Sequence, residues 1–336
     1  MNRIFTNRKK HLGFTLVEML VVIFIIGILA GLISAAAMRA RNRAKVAAMA
    51  VGDINLISLS IDQYKNDLGG EYPPDFSDVT TDNGKSIILR HIYRAFPRFV
   101  INGPDITTKW QNLRDLIYSN SAYTINTTTY HIDINNFGPD KALVFWLGGM
   151  PDAQGRPSGF SKDPANPFTS PITVPSRKGP FYDFDPGRIQ NYQYYASGII
   201  TGTGQPYVYL RAEQGQSQPK REYYTYDGAN YAFKSGATSG AKPYWDQRNM
   251  CWVNPTSFQI LCCGLDGKFG KENVYPTGII QKPIALTFPG LPPSDVTAIN
   301  TALNNDITNT TDNPGNLDHI DDQTNFSSGT IGDDLP

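Results

Sequence analysis

Histidine and cysteine are scarce in this chain, four and three among 336 residues. So few histidines, with His11 already inside the first thirteen residues, argue against zinc chemistry. Cys251, Cys262 and Cys263 have no metal-ligand spacing, and an odd number leaves at least one unpaired within a chain. Two readings stay open for them: a bridge from Cys251 to Cys262 or Cys263 across a turn at Asn254-Pro255-Thr256-Ser257, or buried thiols acting as small hydrophobes. Also missing are a Gly-x-Ser-x-Gly elbow, a phosphate-binding Walker loop and a His-Glu-x-x-His pair, so the sequence predicts no enzyme. The glycine-rich run from Gly198 to Gly204 lacks the strand-then-helix context of a phosphate cradle. Charged residues make up 18% of the chain, below the roughly 25% of ordinary soluble domains. No basic stripe appears beyond Arg39, Arg41, Arg43 and Lys45, which does not suit nucleic-acid binding. That cluster directly follows an apolar run and reads as headgroup contact by snorkelling side chains. Proline is absent before Pro73, so nothing in the first part of the chain breaks a helix.

What is present is an apolar run from Gly13 to Ala37 carrying one acid, Glu18. The 20 residues from Met19 to Met38 hold no charge, and as a helix they reach ~30 Å, enough to cross a bilayer core. A carboxylate at the edge of such a run costs a few kcal/mol unless it finds a partner in the headgroups, another chain or a free amine. Arg3, Arg8, Lys9 and Lys10 precede the run without any acid and predict a cytoplasmic N-terminus. Removing those four cations from 30 basic against 30 acidic residues leaves the rest of the chain at a net charge of −4. Helical spacing continues beyond the run through Ala44, Ala47, Ala48, Val51, Ile54, Ile57, Ile61 and Tyr64, and Gly69-Gly70 ends it. One helix from Phe14 to about Asp67 is therefore expected, ~80 Å long, apolar all round at first and amphipathic later.

Gly13-Phe14-Thr15-Leu16-Val17-Glu18 resembles the prepilin motif of type IV pilins and type II secretion pseudopilins. Ser58 to Pro74, SLSIDQYKNDLGGEYPP, is similar to the end of the first helix in major pseudopilins, with an extra glycine at Gly69-Gly70. The resemblance implies cleavage after Gly13 by a prepilin peptidase, methylation of Phe14, and assembly guided by Glu18. It implies an α+β, pilin-like fold: a leader (1–13), an N-terminal helix (14–67; transmembrane over 14–38, packed on the head over 39–67), and a loop-rich head (68–336) holding a small antiparallel sheet. It further implies a single-pass protein of the bacterial inner membrane with a periplasmic head. Its partners would be copies of itself, other pseudopilins and an inner-membrane assembly platform, within a helical filament. Ala35 stands where many members have a proline.

In the head, Ser86 to Phe96 has helical spacing with Ser86 as N-cap and Pro97 as stop. Trp110 to Tyr118 and Asp140 to Leu147 read as further helical turns. Residues 151–191 read as an extended loop. Strand signals follow at Tyr192–Ala196, Tyr207–Arg211, Tyr223–Tyr226 and Ser257–Cys262. His91 and His131 lack a partner pattern and read as structural. Gly264-Leu265-Asp266-Gly267-Lys268-Phe269-Gly270 and the later Asp318 to Phe326 resemble, in order, the calcium loop of major pseudopilins. The ligands implied are Asp318, Asp321, Asp322 and Asn325, with Asp266 shaping the turn; calcium takes six to eight hard oxygens. A second function class is a membrane-anchored glycan- or envelope-binding protein that does not polymerise, based on the tyrosine-rich strands.

Overall fold

The computed structural model describes residues 16–197, 204–213, 251–264, 323–325 and short stretches between 223 and 275. The chain divides into two compact units, Met1–Lys45 and Val46–Pro336. Helix α1 (Leu16–Asp67, 52 residues) belongs to both. In the first unit its described side chains from Leu16 to Gly31 are all exposed.

In the second unit α1 supplies the spine of the core. Ala50, Ile54, Ile57, Ile61 and Tyr64 recur every three or four residues and are completely buried. Each isoleucine contributes roughly 1.5–3 kcal/mol by leaving water. The buried stripe begins only at Ala50; Ala44 and Ala48, expected to share it, are exposed. Apolar spacing cannot show where along a helix its packing partner starts.

Helix α2 (Asp82–Ala95) starts four residues before the expected cap at Ser86. The Asp78 carboxylate accepts from the Thr80 and Thr81 amides at 3.2 and 3.0 Å and from the Thr81 hydroxyl, turning Thr81 so that its oxygen caps the Gly84 amide at 3.1 Å. Helix α3 (Ile106–Asn120) is capped by Asp105, which accepts from the Thr108 amide at 2.7 Å, and buries Trp110, Leu113 and Ile117. Between Asp140 and Leu147 the expected helical turn becomes a buried π-helical turn over Val144–Gly148.

Strands are short. Hairpins form from β1 (Tyr123–Ile125) with β2 (Thr128–Tyr130), β3 (Phe160–Ser161) with β4 (Arg177–Lys178), and β5 (Ile189–Gln190) with β6 (Gln193–Tyr194). Strands β7 (Val208–Arg211), β8 (Tyr224–Tyr226), β9 (Tyr231–Phe233), β10 (Trp245–Asp246), β11 (Cys251–Trp252), β12 (Phe258–Cys262), β13 (Val274–Tyr275) and β14 (Gln323–Thr324) follow. The central sheet runs β14-β12-β7, all antiparallel, with Ile260 opposite Tyr209 and Leu261 opposite both Val208 and Thr324. In a separate sheet β10 pairs antiparallel with β11 and parallel with β13.

Every residue of β7 and β12 is buried, as strands covered on both faces must be. Tyr192, Tyr194, Tyr207 and Tyr209, whose alternation reads first as strand core and only second as a sugar-binding surface, are core residues. The Tyr207 hydroxyl donates to Asp53 on α1 at 3.0 Å, and Arg188 pairs with the same carboxylate.

Candidate functional site

Glu18 lies in the first described turn of α1, where a carboxylate is favoured by the helix dipole. Leu16–Gly31 is an apolar helical stretch. Ala44–Asp67 is also apolar enough in composition for a span, but it carries Lys45, Asp53, Asp62 and Lys65, and its isoleucine stripe is buried in the head. Of the two stretches the earlier is the one whose described side chains are all exposed. The expected processing residues Gly13 and Phe14 lie outside the described residues.

Just beyond the other end of α1, four consecutive residues, Tyr72 to Asp75, are locked into the head. The Tyr72 carbonyl accepts from Arg211 Nη1 at 2.8 Å, the Pro73 carbonyl from the Tyr209 hydroxyl at 2.8 Å, and the Pro74 carbonyl from Trp146 Nε1 at 2.7 Å. The two prolines have no N–H to satisfy and hold φ fixed, so their carbonyls present themselves in a rigid row. Asp75, the fourth residue, is buried. Its Oδ2 accepts from Lys234 Nζ and from the Arg211 amide, both at 2.9 Å, while Oδ1 accepts from the Ser77 hydroxyl at 2.7 Å. Lys234 is equally buried and also donates to the Arg211 carbonyl at 2.8 Å and to Glu213 at 3.2 Å. Burial pushes the Asp75 carboxyl up, but the Lys234 charge and the hydrogen bonds from Lys234, Ser77 and Arg211 outweigh it and hold the group below its usual range.

Phe76, next in line, takes a left-handed φ of 56° and stacks on Trp146 at 5.4 Å between ring centroids. A bulky residue in that region costs of order 1–3 kcal/mol, met here by the anchoring on both sides. Trp146 sits in the π-helical turn and also meets Tyr64 and His91 edge-on. His91 is a structural histidine: its Nε2 lies 3.1 Å from the Tyr64 hydroxyl, and Nδ1 has no hydrogen-bond partner. Burial, then the nearby charges of Arg211 and Arg90, pull its pKa down to about 3. His131 is exposed and stacks on Tyr118.

Of the residues expected to ligate calcium, Asp266, Asp318, Asp321 and Asp322 lie outside the described residues. Asn325 uses its carboxamide to clamp β12: Oδ1 accepts from the Ile260 amide at 2.9 Å, and Nδ2 donates to the Phe258 carbonyl at 3.2 Å. No cluster of three His, Cys, Asp or Glu fit for a metal occurs among the described residues. The Cys262 and Cys263 thiols are buried, and Cys263 donates to the Gln205 carbonyl at 2.9 Å; the Cys251 side chain lies outside the description. Sequence reasoning missed the Asp75–Lys234–Arg211 centre. An acid directly after Pro73-Pro74 was its one visible trace, since Lys234 and Arg211 lie far along the chain in segments without any charge pattern.

Residues 8–34 match the family described as the prokaryotic N-terminal methylation motif. The chain is 45% identical over 83 residues to the type II secretion system core protein G of Pseudomonas aeruginosa. That match takes in 25% of this chain and 53% of the relative, so the chain spans about half the length of the protein it matches. No solved structure matches. In its N-terminal methylation motif and over those 83 residues, the chain is thus similar to type IV prepilin-like proteins of the pseudopilin kind.

Proposed function

We propose that this chain is a structural subunit of a type II secretion pseudopilus or a type IV pilus-like filament. The observation that carries this reading is the methylation motif at the start of a helix whose first half is apolar on every side. In this reading the leader holds the N-terminus in the cytoplasm, the helix waits in the inner membrane, and the head folds in the periplasm. A prepilin peptidase cuts after Gly13 and Phe14 is methylated. In the filament the Glu18 carboxylate of one subunit meets the Phe14 amine of a neighbour, an ion pair that offsets the cost of placing a carboxylate among apolar helices. The lock at Tyr72–Asp75 suits such a subunit, since it adds to the buried stripe of α1 a second attachment of the helix to the head. The glycan-binding alternative loses support, because Tyr192, Tyr194, Tyr207 and Tyr209 are buried in the core.

The deciding measurement is the mass of the N-terminal peptide of protein purified from membranes. A chain beginning at Phe14 with one added methyl group is expected. A chain that keeps Met1, or one cut near Ala37, overturns the proposal. Calcium at the Asp266 loop and the Asp318–Asp322 segment belongs to the same proposal. Calcium chloride should then raise the thermal midpoint of the wild-type chain and leave an Asp321→Asn/Asp322→Asn variant unmoved; an unmoved wild type removes calcium from the picture.

A further inference from the structure

Where α1, α2 and β7 meet, a cavity of about 90 Å³ is lined by Lys65, Glu71, Tyr72, Arg90, Arg211 and Thr256, with backbone from Gly70 and Ala212. Three of these side chains are cations. The one acid, Glu71, is paired with Arg94. Lys65 and Arg90 make no ion pair among the described residues; Lys65 Nζ rests 4.0 Å above the Tyr72 ring. Arg211 is only 7% exposed, yet of its guanidinium nitrogens only Nη1 makes a described hydrogen bond, to the Tyr72 carbonyl. Its Nε is buried without a partner, and Nη2 is no closer than 4.0 Å to Glu213. A buried guanidinium with donors unused is costly, because each N–H has given up water without replacement.

Among the described residues the surrounding charges do not cancel this excess. Asp75 and Glu213 are engaged by Lys234, and Glu71 by Arg94. Counting Lys65, Arg90, Arg94, Arg211 and Lys234 against Glu71, Asp75 and Glu213 leaves two positive charges in excess. Asp62, whose carboxylate accepts from the Tyr72 hydroxyl at 3.3 Å, lowers that excess to one without reversing it. Arg211 and Arg90 both lie close enough to His91 for their charges, after burial, to lower its pKa.

We propose that this cavity binds a single oxyanionic group, a carboxylate or a phosphate, between Lys65, Arg90 and Arg211. The cavity has room for one such group, and guanidinium and ammonium donors are the natural partners of oxyanions. An occupant would join the end of α1 to α2 and β7 beside the lock at Tyr72–Asp75.

The test uses the full chain in maltoside micelles, titrated with phosphate, acetate or chloride at constant ionic strength while thermal unfolding is followed by tryptophan fluorescence. Phosphate or acetate should raise the midpoint saturably above the chloride control, as a ligand of the native state does. A response to acetate identifies a protein carboxylate as the natural occupant; a response to phosphate alone identifies a free or esterified phosphate. Because Arg211 also anchors the fold, the variant to compare is Lys65→Gln/Arg90→Gln, which should fold normally and bind at least about fivefold more weakly. Oxyanions indistinguishable from chloride, or binding unchanged in the double variant, overturn the proposal.

Discussion

Asp75 and Lys234 show how much depends on single buried charges in this head. They are 3% and 1% exposed, so neither can turn to water if the other is removed. Lys234→Met should therefore destabilise the chain by about 3–5 kcal/mol, lowering the thermal midpoint by roughly 5–10 °C. Adding Asp75→Asn to that variant should recover part of the loss, because the uncompensated carboxylate is then gone. A double variant no better than Lys234→Met alone would show that the pair acts through packing and not charge. His91 sets a separate acid sensitivity. Its folded pKa of about 3 lies below the ordinary 6.5, so the unfolded chain binds the proton first. Its contribution is complete above pH 6.5 and is lost by about 1.4 kcal/mol per unit as pH falls from there towards 3. Asp75, with its carboxyl also held low, adds a loss only when pH falls below the ordinary carboxylate range near 4. Unfolding compared at pH 7 and pH 5 should thus show a drop of about 2 kcal/mol that His91→Gln abolishes. An equal drop in both proteins would assign the acid sensitivity to another group.

At the scale of elements, α1 carries two faces whose roles separate cleanly within the second unit. Ile61 is completely buried, whereas Leu59, two positions away, is 66% exposed. Ile61→Ala should cost about 2–5 kcal/mol through lost burial and the cavity left behind. Leu59→Ala should change stability by less than about 0.5 kcal/mol. Parallel thermal melts decide this, and equal losses would mean that the head packs on a different face of the helix. The helix itself was legible in advance, because an unbroken three-and-four spacing without proline has few other solutions. The start of α2 was not, because it depends on Asp78 folding back onto Thr80 and Thr81, a local polar turn that apolar spacing does not register. The π-helical turn was equally hidden: its extra residue brings Trp146 to the Pro74 carbonyl, a partner 72 positions away.

At the scale of the whole molecule, Glu18 and the buried core of the head belong to different compact units. Glu18→Gln should accordingly leave the thermal unfolding of the head unchanged and leave cleavage after Gly13 intact. It should nevertheless abolish filaments recovered by shearing and sedimentation, since the neutral amide cannot pair with a charged amine. Normal filament yield from that variant would remove Glu18 from the assembly mechanism. A loss of cleavage would instead locate its role at processing.

The N-terminal third of this protein was readable from sequence because its determinants are local. An apolar run, a single acid and a helical period act over a few residues at a time, and the prepilin-like motif is contiguous. Several head strands were also legible, at Val208–Arg211 and Phe258–Cys262 for instance, from β-branched and aromatic runs. What only the tertiary structure decided is where those pieces meet. The row of carbonyls at Tyr72, Pro73 and Pro74, the Asp75–Lys234 pair and the cationic cavity each join segments more than seventy positions apart or lying on three different elements. Burial gives those contacts their strength, since a charge or carbonyl removed from water is held by whatever partner the fold delivers, and no local pattern in the chain announces which partner that will be.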